Sequence, residues 1–82
     1  MDISSIETAG RIGQIVSQFI EASEKLTRDR DLQELGLTSM QMVNLMLTIE
    51  AEFNLTIPGA KLVPANFRTI DSIEKLLREL AH

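Results

Sequence analysis

Three stretches of this chain repeat their apolar residues at intervals of three and four, and none alternates with a period of two. Intervals of three and four line up side chains on one face of an α-helix, whereas alternation marks a strand. The expectation is an all-α fold. The first stretch covers residues 5–25, with Ile12, Ile15, Val16, Phe19 and Ile20 on one face and Gly10 and Gly13 weakening its early turns. The second covers residues 39–53. Its inward side is predicted to carry Val43, Met46, Leu47, Ile49 and Phe53, with Met40, Met42 and Leu45 spreading apolar surface beyond one stripe. The third begins at Thr69, a good N-cap, and presents Ile70, Ile73, Leu76, Leu77 and Leu80 on one side.

The connections differ in character. Residues 26–37 are charged and broken in pattern, yet Leu32, Leu35 and Leu37 can pin them to a core as an ordered loop. Asn54-Leu55-Thr56-Ile57 reads as an exit turn closed by Pro58. A short helical turn is expected around residues 60–63, where Pro64 interrupts it. At 82 residues the chain is read as one domain over 1–82, a small antiparallel bundle of three main helices plus one short helix. A domain of this size buries only about two thirds of its unfolded surface, so its stability is modest.

Much chemistry is excluded by residue type. There is no cysteine, hence no disulfide, no thiolate metal site and no cysteine nucleophile. The single histidine is His82 at the very end, so no Ser-His-Asp set can be assembled. Asp29, Asp31 and Glu34 faintly mimic a calcium loop, but the required glycine is missing and the twelfth position is Met40 instead of glutamate. Asn54-Leu55-Thr56 matches a glycosylation acceptor, but Met1-Asp2-Ile3-Ser4-Ser5 lacks the basic-then-apolar order of a secretion signal. No apolar run nears the roughly 20 residues that cross a bilayer. The expectation is therefore a cytoplasmic chain that is no enzyme, binds no metal and touches no membrane.

The formal charge of −4 is unevenly spread. No lysine or arginine occurs from Asp31 to Ala60, while Asp31, Glu34, Glu50 and Glu52 are acidic. From Lys61 onward, Lys61, Arg68, Lys75 and Arg78 stand against Asp71, Glu74 and Glu79. A nucleic acid needs a basic patch and is excluded as a ligand. Two readings of the acidic stretch stay open: steering toward a partner with a basic surface, or mere solubility.

At the start of the second helix one hydroxyl stands apart. Thr38 and Gln41 are three residues apart, as a capping box requires, and Leu37 and Met42 occupy the positions of a hydrophobic staple. With Thr38 as the cap, Ser39 is the first helical residue and its hydroxyl is not needed for capping. A phosphate there would lie among free N–H groups at the positive end of the helix dipole. In most proteins a Thr-Ser pair before a helix does nothing beyond capping. Met46 reads as core filler, whereas Met40, beside Ser39, offers an adaptable apolar contact.

The run Leu35-Gly36-Leu37-Thr38-Ser39-Met40, followed by Val43, Leu45, Glu50, Phe53, Ile57 and Pro58, resembles the acyl carrier proteins. The resemblance continues more loosely through Phe67-Arg68-Thr69-Ile70 to Leu80, and in the first helix it is one of pattern alone. It implies that a phosphopantetheinyl transferase moves 4'-phosphopantetheine from coenzyme A onto Ser39. The thiol of that arm then holds cargo as a thioester. It also implies that partners meet Thr38, Met40, Gln41, Met42, Glu50, Glu52, Lys61 and Arg68.

Carriers of fatty acid synthesis read Asp-Ser-Leu at the attachment point, where this chain has Thr38-Ser39-Met40, and Gln41 and Asn44 are neutral. With the long segment over residues 62–70, this is more similar to the small carriers loaded with amino acids by dedicated ligases. The expected protein is a free-standing monomer, with no linker at either end. A carrier of fatty acid or polyketide synthesis, and an unmodified carrier-like adaptor, remain as alternatives. Whether cargo shelters in the bundle is also open.

Overall fold

The computed structural model describes residues 5–20 and 26–80. Three α-helices carry the architecture: α1 over Ser5–Val16, α2 over Ser39–Glu52 and α3 over Ile70–Leu80. Among the described residues there is no strand, and no helix is long and apolar enough to cross a membrane. α1 packs against both α2 and α3. One apolar core gathers Ile12 and Val16 from α1, Leu45 and Ile49 from α2 and Ile73 and Leu76 from α3. Phe67, fully buried, is its largest side chain.

α1 is shorter than its periodicity implies. It stops at Val16, and residues 17–19 form a turn. Gln18 N–H donates to the Ile15 carbonyl and Phe19 N–H to the Val16 carbonyl, while Ser17 Oγ donates to the Gln14 carbonyl at 2.7 Å. These bonds span three residues instead of four, which tightens the last turn and ends the helix. Ile20 is still buried, so the apolar spacing survives although the helix does not. Residues 21–25, the remainder of the expected first helix, lie outside the described residues, as does His82.

The loop over residues 26–37 is ordered by its leucines. Leu32, Leu35 and Leu37 are all buried, and Leu32 N–H donates to the Arg68 carbonyl at 2.8 Å. Three ion pairs close the other side: Arg28 reaches Asp71 at 2.7 Å and Glu74 at 2.6 Å, and Arg68 reaches Asp31 at 2.9 Å. Gly36 sits at φ +105, a backbone region that glycine tolerates, and the chain turns there into α2.

The expected short helix over residues 60–63 is instead two separate 3-10 turns, Gly59–Lys61 and Pro64–Phe67. Pro64 is the reason. It has no N–H to continue a helix begun before it, and its fixed φ suits the first position of a new turn.

The inward face of α2 also differs from expectation. Met42, Leu45, Met46 and Ile49 are buried, whereas Val43 and Leu47, expected inside, are 54% and 56% exposed. Met42, expected to meet partners, is only 4% exposed and belongs to the core. Apolar residues cover almost the whole circumference of this helix, so periodicity alone cannot select a side. Packing sets the rotation: Met42, Leu45, Met46 and Ile49 are the residues that join the core shared with α1 and α3.

Candidate functional site

Ser39 is the first residue of α2, and its position is fixed by its neighbour. Thr38 is in an extended conformation (φ −81, ψ 166), and its Oγ1 accepts from the Gln41 N–H at 3.1 Å. Gln41 Oε1 accepts in return from the Thr38 N–H at 3.0 Å, which completes the capping box. The first helical bond runs from Met42 N–H to the Thr38 carbonyl at 2.8 Å. Ser39 therefore takes no part in capping. It is exposed, and its hydroxyl has no hydrogen-bond partner among the described residues.

The electrostatics of this helix start differ from those of its neighbours. α1 has Glu7 in its first turn and α3 has Asp71, each placing a carboxylate near the positive end of the helix dipole. α2 has no acidic residue in its first turn. Its capping box satisfies the Gln41 N–H but leaves those of Ser39 and Met40 without a partner among the described residues. A phosphodiester on Ser39 Oγ would supply the missing negative charge, so the residues present fit such a group.

Around Ser39 the surface is apolar. Met40 is 77% exposed, and Val43 and Leu47 follow it at helical spacing. Beside buried Met42 lies an open cleft of about 310 Å³, lined also by Gln33, Pro64, Ala65 and Arg68. Arg68 is the one charged residue in that lining, and it faces Asp31. The Arg68 guanidinium hydrogen-bonds the Asp31 carboxylate and holds it below the usual carboxylate range.

The charged residues expected to meet partners are engaged within the molecule. Glu50 Oε2 accepts from the Ile57 N–H at 2.7 Å and anchors the exit from α2. In that exit Asn54 has a positive φ of 51, and Leu55 N–H reaches back to the Glu50 carbonyl in a Schellman-type end. Glu52 lies at the far end of α2 from Ser39. Arg11 donates to its carbonyl at 2.8 Å and stacks on Phe53 with its guanidinium 4.3 Å from the ring centre. Lys61 stands 3.9 Å from Glu79, an ion pair between half-exposed side chains. The structure thus brings Thr38, Ser39, Met40 and Gln41 together at one helix end and leaves Glu50, Glu52 and Lys61 elsewhere. Sequence reasoning missed Val43 and Leu47 as surface residues. The signal was present, because α2 holds more apolar residues than one face can bury.

The chain matches the phosphopantetheine attachment site family over residues 10–77. It is 36% identical to aminoacyl carrier protein 1 of Bradyrhizobium diazoefficiens over 80 residues, spanning 94% of this chain and 89% of that relative. In solved structures it resembles a chain in the crystal structure of an engineered Bradyrhizobium japonicum glycine:[carrier protein] ligase complexed with carrier protein from Agrobacterium tumefaciens and ATP. That likeness has a TM-score of 0.80 and 28% identity, covering 88% of this chain and 97% of the other. A chain in the Bradyrhizobium japonicum ligase complexed with glycylated carrier protein is similar at TM-score 0.69 and 38% identity, covering 88% and 96%. With its helix start shaped for a phosphate and this agreement along most of its length, the chain belongs to the acyl carrier protein family, as an aminoacyl carrier protein whose cofactor is 4'-phosphopantetheine.

Proposed function

We propose that Ser39 carries the arm and that the chain receives an amino acid from a dedicated ligase and hands it to a further enzyme. The observation that carries this reading is the exposed, unbonded hydroxyl at a helix start with no carboxylate in its first turn. When bound, 4'-phosphopantetheine supplies a thiol that holds the aminoacyl group as a thioester. The chain's own residues do the rest. Thr38 and Gln41 lock the helix start so that Ser39 keeps one orientation. The unpaired N–H groups of Ser39 and Met40 accept the negative charge of the phosphodiester. Thr38, Met40 and Gln41 form the rim that a phosphopantetheinyl transferase meets as it delivers the arm from coenzyme A.

In this reading residues 1–82 act as one carrier domain, monomeric and cytoplasmic, that is a substrate of other enzymes and catalyses nothing itself. The ligase as partner is supported by the complexes in which similar chains are found. Coexpression with a transferase of broad specificity, followed by intact mass measurement, is expected to show one arm per chain. Ser39→Ala should remove that mass entirely. Because Ser39 is exposed and unbonded, the variant's stability should stay within about 0.5 kcal/mol of the parent. An arm that persists on Ser39→Ala would overturn the assignment, and full cellular function of that variant would favour the unmodified adaptor.

A further inference from the structure

The chain has no cysteine, tryptophan or tyrosine, so its four methionine sulfurs are the side-chain atoms most open to two-electron oxidation. Three of them, Met40, Met42 and Met46, fall within two turns of α2, just after Ser39. Packing separates the three. Met42 and Met46 are 4% and 8% exposed and belong to the core, whereas Met40, next in the chain to Ser39, is 77% exposed. Met1 lies outside the described residues. An oxidant in solution therefore meets the Met40 thioether and finds the other two closed off by close-packed neighbours.

We infer that Met40 is a modification site for peroxides, and that its oxidation slows attachment of the arm at Ser39. The inference rests on Ser39 bearing the arm. The Met40 sulfur attacks one oxygen of the peroxide with a lone pair. An S–O bond forms as the O–O bond breaks, so sulfur is oxidised by two electrons and the peroxide is reduced. With hydrogen peroxide, the transferred oxygen passes its proton to the departing hydroxide, which leaves as water. The product, methionine sulfoxide, is polar where the thioether was apolar. A transferase that covers Met40 must then strip water from the new S–O group. Helical side chains also lean toward the N-terminus of their helix, so the added acceptor oxygen is directed toward the Ser39 and Met40 N–H groups that favour the phosphodiester. Both effects oppose attachment. The core is untouched, because Met42 and Met46 stay reduced, and methionine sulfoxide reductases reverse the change.

The test treats the full chain with hydrogen peroxide before any arm is attached, because the thiol of the arm is itself oxidised by peroxide. Peptide mass mapping should show Met40 gaining one oxygen about tenfold faster than Met42 or Met46, which should react readily only in urea. Arm attachment by a transferase of broad specificity should then slow by about fivefold or more. Treatment with both methionine sulfoxide reductases, one for each sulfoxide epimer, should restore the rate. Met40→Leu, whatever its own rate, should take the arm equally fast before and after peroxide. Thermal melts of the oxidised and reduced chain should agree. Equal oxidation of the three methionines in the folded chain, an unchanged rate with Met40 oxidised, a loss of rate in Met40→Leu, or unfolding on oxidation would each overturn the inference. Absence of the arm from the untreated chain would instead overturn the role of Ser39 and, with it, the effect on attachment, while the peptide map alone decides whether Met40 is the reactive sulfur.

Discussion

α2 and α3 are similar in length and both lie on the core, yet they relate to their sequences in opposite ways. α3 places Ile70, Ile73, Leu76 and Leu77 in a single stripe, and all four are buried as the spacing requires. Its remaining positions are largely charged and include both partners of Arg28, Asp71 and Glu74. α2 has apolar residues nearly all round, and only Met42, Leu45, Met46 and Ile49 go inside. The excess on α2 stays at the surface, at Met40, Val43 and Leu47, and the economy of α3 is that of a structural element. Where a helix holds just enough apolar residues for one face, periodicity names the buried side. Where it holds more, only packing decides.

The contrast can be broken first in the core. Leu45→Ala, at a fully buried position, should cost about 2–5 kcal/mol, while Leu47→Ala, two residues on, should cost less than about 0.5 kcal/mol. Urea unfolding of the two variants reads the difference, and equal losses would mean that α2 does not turn Leu45 inward and Leu47 outward.

The cap comes next. Thr38→Ala should destabilise the protein by about 1 kcal/mol by removing the bond to the Gln41 N–H, yet arm attachment at Ser39 should remain complete by mass. Loss of attachment without loss of stability would give Thr38 a direct part in the transferase reaction.

A smaller effect of opposite sign is expected in α1. A methyl group added at Gly10 meets nothing within 4 Å, so Gly10→Ala should stabilise the helix by about 0.5–1 kcal/mol and raise the melting temperature.

The smallest effect depends on pH. Arg68 depresses the Asp31 carboxyl through their hydrogen bond, so Asp31 is more acidic folded than unfolded. That contribution is complete above the ordinary carboxylate value and is lost as pH falls through the depressed folded value. Arg68→Gln should therefore lower the melting temperature at neutral pH, and the gap to the parent should close in acid. A gap of constant size would show that Arg68 acts through packing alone.

Features that depend on neighbours within four residues were legible in advance. The Thr38–Gln41 box appears as expected, and Thr69 does cap α3, its Oγ1 accepting from the Ser72 N–H at 3.0 Å. Ser39 falls at the first helical position for the same local reason. The early end of α1 was not legible, because the apolar residues beyond Val16 keep helical spacing and Ile20 is buried without it.

The chain's sequence by itself determined the helical class, three helices, two of their caps and one hydroxyl standing beyond its cap. These follow from hydrogen bonds and periodicity measured over one or two turns, whatever the rest of the chain does. Only the tertiary structure decided which side of α2 turned inward, that Met42 was core and Val43 and Leu47 surface, and that Glu50, Glu52 and Arg68 were held by Ile57, Arg11 and Asp31. Glu52 and Arg68 find partners about forty positions away along the chain, and the rotation of a helix apolar on all sides is set by what packs against it.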